Sequence, residues 1–333
     1  MAKRRLQRIV ITGQWTLPVA VFIGTLCWVI TYFFLPQLNV ETSTIIPSEA
    51  RDFLLLLPNG LTRFISYLLH IAIIYLLLEF NSAFALIRMR ASIQSVIYFT
   101  LITILPEFHV LSPQTVLSIT YLISLYFLFK SYQKRAPNDL FYCFIFIGLG
   151  SLIFPPLILL SLFWIIGAYQ LQSLNLKSIC AAVLGFLLPY WFLLGHAFYH
   201  HNMALFYQPF QELAQFKPFF DFQTWQTADY LSAGFLLFLF LISAIHALVT
   251  SYQDKIKTRS YLNVLITFSF FLFLILLMQP EYKLELVSLL IINTSILTAH
   301  FFALTETKVS NGLFIFSLIY AMTLFAFNIW TLS

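Results

Sequence analysis

The stretch Asp139–His196, DLFYCFIFIGLGSLIFPPLILLSLFWIIGAYQLQSLNLKSICAAVLGFLLPYWFLLGH, decides the fold class. Two apolar runs, Leu140–Phe154 and Leu157–Leu171, meet at Pro155-Pro156, and a third, Ser178–Leu194, follows a single cationic turn at Lys177. Hydrocarbon sustained over this length reads as membrane segments. The first two runs would each be roughly 22 Å long as helix, against a hydrocarbon core of about 30 Å. The segment 140–171 therefore predicts either two short tilted spans or a re-entrant pair of half-helices meeting at the prolines. Either form returns the chain to the same side by Lys177. A proline at a helix break inside lipid also frees carbonyls that neighbouring helices or water must satisfy.

Composition agrees with this reading. The 333 residues are 60% hydrophobic and only 9% charged, with a mean hydropathy of +0.88, whereas a soluble domain carries about 25% charged residues. The fold class expected is all-α, a polytopic bundle forming one integral membrane domain over residues 1–333. The three cysteines, Cys27, Cys143 and Cys180, lie in apolar runs and predict neither a disulfide framework nor a metal site. The start, MAKRRLQRIV, is basic like a signal peptide, but the apolar run Trp15–Leu35 exceeds an h-region and predicts a retained first helix.

Further spans are expected near Thr62–Phe80, Ser92–Leu105, Gln114–Phe129, Tyr230–Val249, Tyr261–Met278, Leu284–Ala303 and Gly312–Trp330. That makes about eleven spans, or nine plus a hairpin if 140–171 is re-entrant. With the amino terminus cytoplasmic, only Arg51, Arg63, Lys217 and Lys283 of the 18 Lys and Arg residues fall outside. This positive-inside bias sets the expected orientation, in a bacterial inner membrane, and explains the net charge of +5 without a nucleic-acid partner. Membrane lipids are the expected partners.

Three outer segments carry candidate chemistry. The loop from Pro36 to Gly60 holds Glu41, Glu49, Arg51 and Asp52. The short loop Pro106-Glu107-Phe108-His109 follows a span of marginal length, so Glu107 is expected near headgroup depth, with His109 and Arg63 as candidate partners. The segment 196–229 alternates aromatic with polar residues, and Pro209 and Pro218 predict a broken set of short pieces lying along the interface. His196 and His200 are four apart, which places two imidazoles on one helix face, but no third metal ligand is fixed. No HExxH, Walker loop, GxGxxG or Gly-x-Ser-x-Gly occurs, and no cofactor is indicated. Ionisable groups are scarce within the spans, which disfavours a proton- or ion-coupled transporter.

The runs LLLEFNSAFALIRMRASIQSVIYFTLITILPEF and GLGSLIFPPLILLSLFWIIGAYQLQSLNLKSICAAVLGFLLPYWFLL resemble an uncharacterised family of polytopic inner-membrane proteins of Bacteroidota. Their order is also similar, more distantly, to GT-C-type membrane glycosyltransferases. That resemblance implies a lipid-linked sugar as partner and a carboxylate base drawn from Glu49, Asp52 and Glu107. It further implies that Arg63 and His109 meet the substrate phosphate. A clear Asp-Glu pair after the first helix, expected of such enzymes, is missing. A non-catalytic component of an envelope complex and a lipid or small-solute transporter are the alternative expectations.

Overall fold

The computed structural model describes residues 6–35, 57–87, 92–134, 137–214 and 219–332. All regular structure among them is helical: α1 (Leu6–Thr12), α2 (Thr16–Phe34), α3 (Asn59–Phe84), α4 (Ile93–Ile104), α5 (Pro113–Lys130), α6 (Pro137–Ile153), α7 (Leu157–Gln170), α8 (Leu176–Tyr199), α9 (Ala204–Ala214), α10 (Thr227–Val249), α11 (Ile256–Met278), α12 (Lys283–Leu304) and α13 (Lys308–Leu332). Seven of these, α2, α3, α8 and α10 to α13, are long and apolar enough to cross a membrane. The expected spans at Ser92–Leu105, Leu140–Phe154 and Leu157–Leu171 correspond to the shorter apolar helices α4, α6 and α7.

Helix α12 is the axis of the bundle, with every residue from Leu286 to Phe302 buried. Several of its polar side chains are hydrogen-bonded within the core, while Asn293 Nδ2 is buried without a partner. Thr294 Oγ1 returns its hydrogen to Leu290 O at 2.7 Å, Asn293 Oδ1 accepts from Tyr121 Oη at 2.9 Å, and Ser243 Oγ donates to Thr298 Oγ1 at 3.2 Å. Without a hydrophobic force between helices in lipid, small and polar residues mark the surfaces that pack.

The two ends of α12 organise the rest. At the Lys283 end lie the starts of α5 and α10, through Gln114 Nε2 on Glu285 (3.3 Å) and Asp229 on Lys283 (2.8 Å). At the His300 end lie α1, through Gln7 Nε2 on Phe302 O (2.7 Å), and the α10–α11 connection, through Asp254 on His300 (3.3 Å). The α6–α7 hairpin reaches both. Lys130 pairs with Asp139 at 3.4 Å and Gln133 N donates to Leu171 O at the His300 end, where Tyr261 also sits. The proline turn brings Phe154 edge-on to Tyr282, beside Lys283. The turn thus lies at the Lys283 end of the bundle.

Close helix contact explains how so short a hairpin is held. At Gly185 an added β-carbon would run into the Phe141 carbonyl, and at Gly148 it would lie 2.7 Å from Phe186 O, so α6 and α8 touch backbone to backbone. Helix α8 otherwise faces outward. In the segment 196–229, α9 is a short amphipathic helix that includes Pro209, and it packs on α8 through Phe210 against Tyr190. Pro209 lies inside this helix and not between two pieces, and Pro218 lies outside the described residues.

Helix α4 has only 12 residues, and the chain continues through a 3-10 turn, Pro106–His109, before α5 begins. Pro106, Phe108, His109 and Val110 are buried, so this irregular backbone must find its hydrogen bonds inside the protein. It does. Asn328 Nδ2 on α13 donates to Ile104 O (2.8 Å), while Ser66 Oγ (2.9 Å) and His70 Nε2 (3.3 Å) on α3 reach Phe108 O.

Candidate functional site

Two groups of polar side chains occupy the Lys283 end. The first is built on α3, where Arg63, Ser66 and His70 follow the three- and four-residue spacing of one helix face. Ser66 and His70 hold the 3-10 turn by its Phe108 carbonyl, and His70 Nδ1 also meets Tyr98 Oη of α4 at 2.9 Å. The fixed turn places His109 flat against Trp28 of α2, with ring centroids 4.2 Å apart and planes 18° from parallel. Arg63, one turn into α3, donates through Nη2 to Leu35 O at the end of α2, and its guanidinium lies 5.4 Å from the Tyr32 ring centroid.

This group leaves several polar atoms unpaired, as do Gln94, Asn293 and Asn328 elsewhere in the bundle. Arg63 Nε and Nη1, both ring nitrogens of His109, Trp28 Nε1 and Thr103 Oγ1 are buried without a hydrogen-bond partner in the protein. The four residues are 5%, 0%, 7% and 7% exposed. Burial, reinforced by the nearby His70 and the Arg63 charge, pushes His109 well below the usual imidazole range. The carbonyls of Ile102 and Thr103 oppose this without reaching good hydrogen-bond geometry. His109 is therefore neutral at physiological pH, and Arg63 supplies the one formal charge among these four residues.

The second group is an ion-pair network. Lys283 Nζ lies 2.8 Å from Asp229 Oδ2 and 3.7 Å from Glu107 Oε1, and Asp229 Oδ2 also accepts from Gln226 N at 2.9 Å, capping α10. Glu285, two residues along α12 from Lys283, takes a hydrogen bond from Gln114. The sequence-derived expectation that Glu107 would pair with Arg63 or His109 is thus corrected: its partner is Lys283, and His109 turns to Trp28 instead. Glu49 and Asp52 lie outside the described residues.

Of the expected site residues, Arg63 and His109 share one group, and Glu107 belongs to the other. Sequence reading passed over Trp28 and Thr103, which look like ordinary residues of apolar runs, and Asp229, whose only signal is its place in the first turn of α10. The His196 and His200 rings lie 4.4 Å apart, tilted by 56°, at the exposed end of α8, and no group of three metal-ligand side chains occurs among the described residues. At the far end Asp254 Oδ2 and His300 Nε2 lie 3.3 Å apart, with side chains 2% and 1% exposed. No protein family model, curated protein or solved structure matches this chain.

Proposed function

We propose that this chain is a multi-pass inner-membrane protein of about eleven spans, with a cytoplasmic amino terminus, that acts on a lipid-phosphate-linked sugar at the outer face as a GT-C-like glycosyltransferase. The orientation rests on charge. Among the described cations, Arg8, Lys130, Lys134, Lys177, Lys255, Lys257, Arg259 and Lys308 belong to the His300 end, while only Arg63 and Lys283 belong to the other. The His300 end is then cytoplasmic and the Lys283 end outer.

The observation that carries the functional reading is the buried group of unpaired donors around Arg63 at that outer end. In the reaction, a carboxylate takes the proton of an acceptor hydroxyl, whose oxygen attacks the sugar's anomeric carbon. The bond from that carbon to the phosphate oxygen breaks, and the oxygen leaves with the electron pair, stabilised by Arg63. Glu107 is already committed to Lys283, so we assign the base to Asp52 or Glu49 and give Glu107 a positioning part.

A transfer assay in phospholipid nanodiscs with a radiolabelled polyprenyl-phosphate sugar tests this. Transfer is expected in the unaltered protein, lost in Asp52→Asn or Glu49→Gln, and reduced in Glu107→Gln. Transfer that persists in both Asp52→Asn and Glu49→Gln would remove the assigned base. A second reading, a non-catalytic component of an envelope complex, is favoured by one fact: none of the described carboxylates bonds to Arg63, His109, Trp28 or Thr103. It predicts no transfer with any donor tried.

A further inference from the structure

We infer that Arg63, His109, Trp28 and Thr103 together bind one singly charged oxyanion of the phosphodiester class, carried on a lipid. The inference takes from the proposed function only that the ligand is a phosphate-bearing lipid at this end of the bundle. It adds the charge state of the bound group and two residues, Trp28 and Thr103, that sequence reading did not nominate.

The argument is an inventory of donors and charge. The unpaired atoms of Arg63 are all N–H donors, Trp28 Nε1 is a donor only, and neutral His109 and Thr103 can each give one hydrogen and accept another. A guest here must therefore be rich in acceptors. The residues come from four different elements, α2, α3, α4 and the 3-10 turn, which meet at His109: Trp28 stacks on its ring, and the Arg63 charge and the Thr103 backbone act on it. Leaving such groups unsatisfied in a protein interior costs about 1–3 kcal/mol each, so an acceptor-rich ligand that pairs with them is favoured.

Charge then narrows the class. With Arg63 cationic and His109 held neutral, the four residues offer one positive charge. Buried charges are tolerated when they are matched, and an excess of either sign is costly. A phosphodiester carries one negative charge, whereas a phosphomonoester is largely doubly charged above pH ~7, its second pKa being about 6. A sugar donor linked through phosphate to a lipid is a diester, and the lipid phosphate left after transfer is a monoester. The site thus prefers what enters the reaction over what leaves it, which favours product release.

Native mass spectrometry of the full chain at pH 8, with phosphatidylglycerol as diester probe, phosphatidic acid as monoester probe and phosphatidylcholine as neutral control, tests this without requiring transfer. One phosphatidylglycerol is expected to bind per chain, more tightly than phosphatidic acid or phosphatidylcholine. Arg63→Met should weaken that binding at least tenfold, with partial recovery in Arg63→Lys. Trp28→Phe and Thr103→Val, which keep shape and remove one donor each, should weaken it severalfold and serve if the Arg63 variants do not fold. Phosphatidic acid binding as tightly as phosphatidylglycerol would overturn the charge matching. Unchanged phosphatidylglycerol binding in all four variants would overturn the site. Inorganic phosphate displacing the lipid at equal concentration would show a soluble anion site and overturn the lipid assignment. Loss of binding with transfer intact sinks only this inference, and absent transfer with binding intact sinks only the enzymatic reading.

Discussion

Two charged groups share one end of the bundle, and the fold treats them in opposite ways. Lys283 stands between Glu107 and Asp229, so three elements are tied by paired charge. Arg63 has a single carbonyl acceptor and an aromatic wall, with three neighbours whose polar atoms are also unpaired. Charge in a membrane protein is costly unless neutralised. A network that neutralises itself is therefore architecture, and a group of donors waiting for an acceptor points to a ligand.

The largest expected effect breaks the paired group. Lys283→Met leaves Glu107 and Asp229 without their shared cation. Breaking a buried pair costs about 3–5 kcal/mol. The three side chains here are 15–26% exposed, so a loss of about 2–3 kcal/mol is expected in denaturant unfolding in detergent. Adding Glu107→Gln to that variant should recover part of the loss. Stability within about 0.5 kcal/mol of the parent would mean that Lys283 is not structural.

A smaller effect sharpens the other side of the comparison. His109 is held well below its ordinary value near 6.5. Below pH 6.5 the unfolded chain takes up a proton on this residue and the folded chain does not, so stability falls as pH drops. The slope should approach about 1.4 kcal/mol per pH unit from this one group, until the folded value is reached. Above pH 6.5 the group contributes no pH dependence. In His109→Asn the part of the slope between pH 6.5 and 5 due to this residue should vanish, as read by unfolding at stepped pH. An unchanged slope would mean that His109 is already charged in the folded protein.

The all-helical bundle of long apolar helices was legible in the sequence, because long apolar runs and proline turns are local signals. Which helix sits in the middle was not. Helices α12 and α8 look equally apolar, yet 94% of the membrane-length window is buried in α12 and 28% in α8. In lipid the outward surface is as oily as the core, so hydropathy does not separate them. The site was half legible. Arg63 stood out as a rare cation at the start of a span, and His109 as a loop histidine. The pairing of Glu107 with Lys283 joins positions far apart in the chain, and Trp28 gains its meaning only from stacking on His109.

The most direct measurement compares Arg63→Met with Lys283→Met by thermal unfolding in nanodiscs, first in phosphatidylcholine alone and then with phosphatidylglycerol added. If the Arg63 group awaits an anion, Arg63→Met in phosphatidylcholine is as stable as the parent or more so, because an uncompensated buried charge has been removed. Lys283→Met is destabilised in either lipid. Phosphatidylglycerol then raises the Tm of the parent and of Lys283→Met, but not that of Arg63→Met. The account is contradicted if Arg63→Met loses as much stability as Lys283→Met in phosphatidylcholine and phosphatidylglycerol raises the Tm of all three proteins equally.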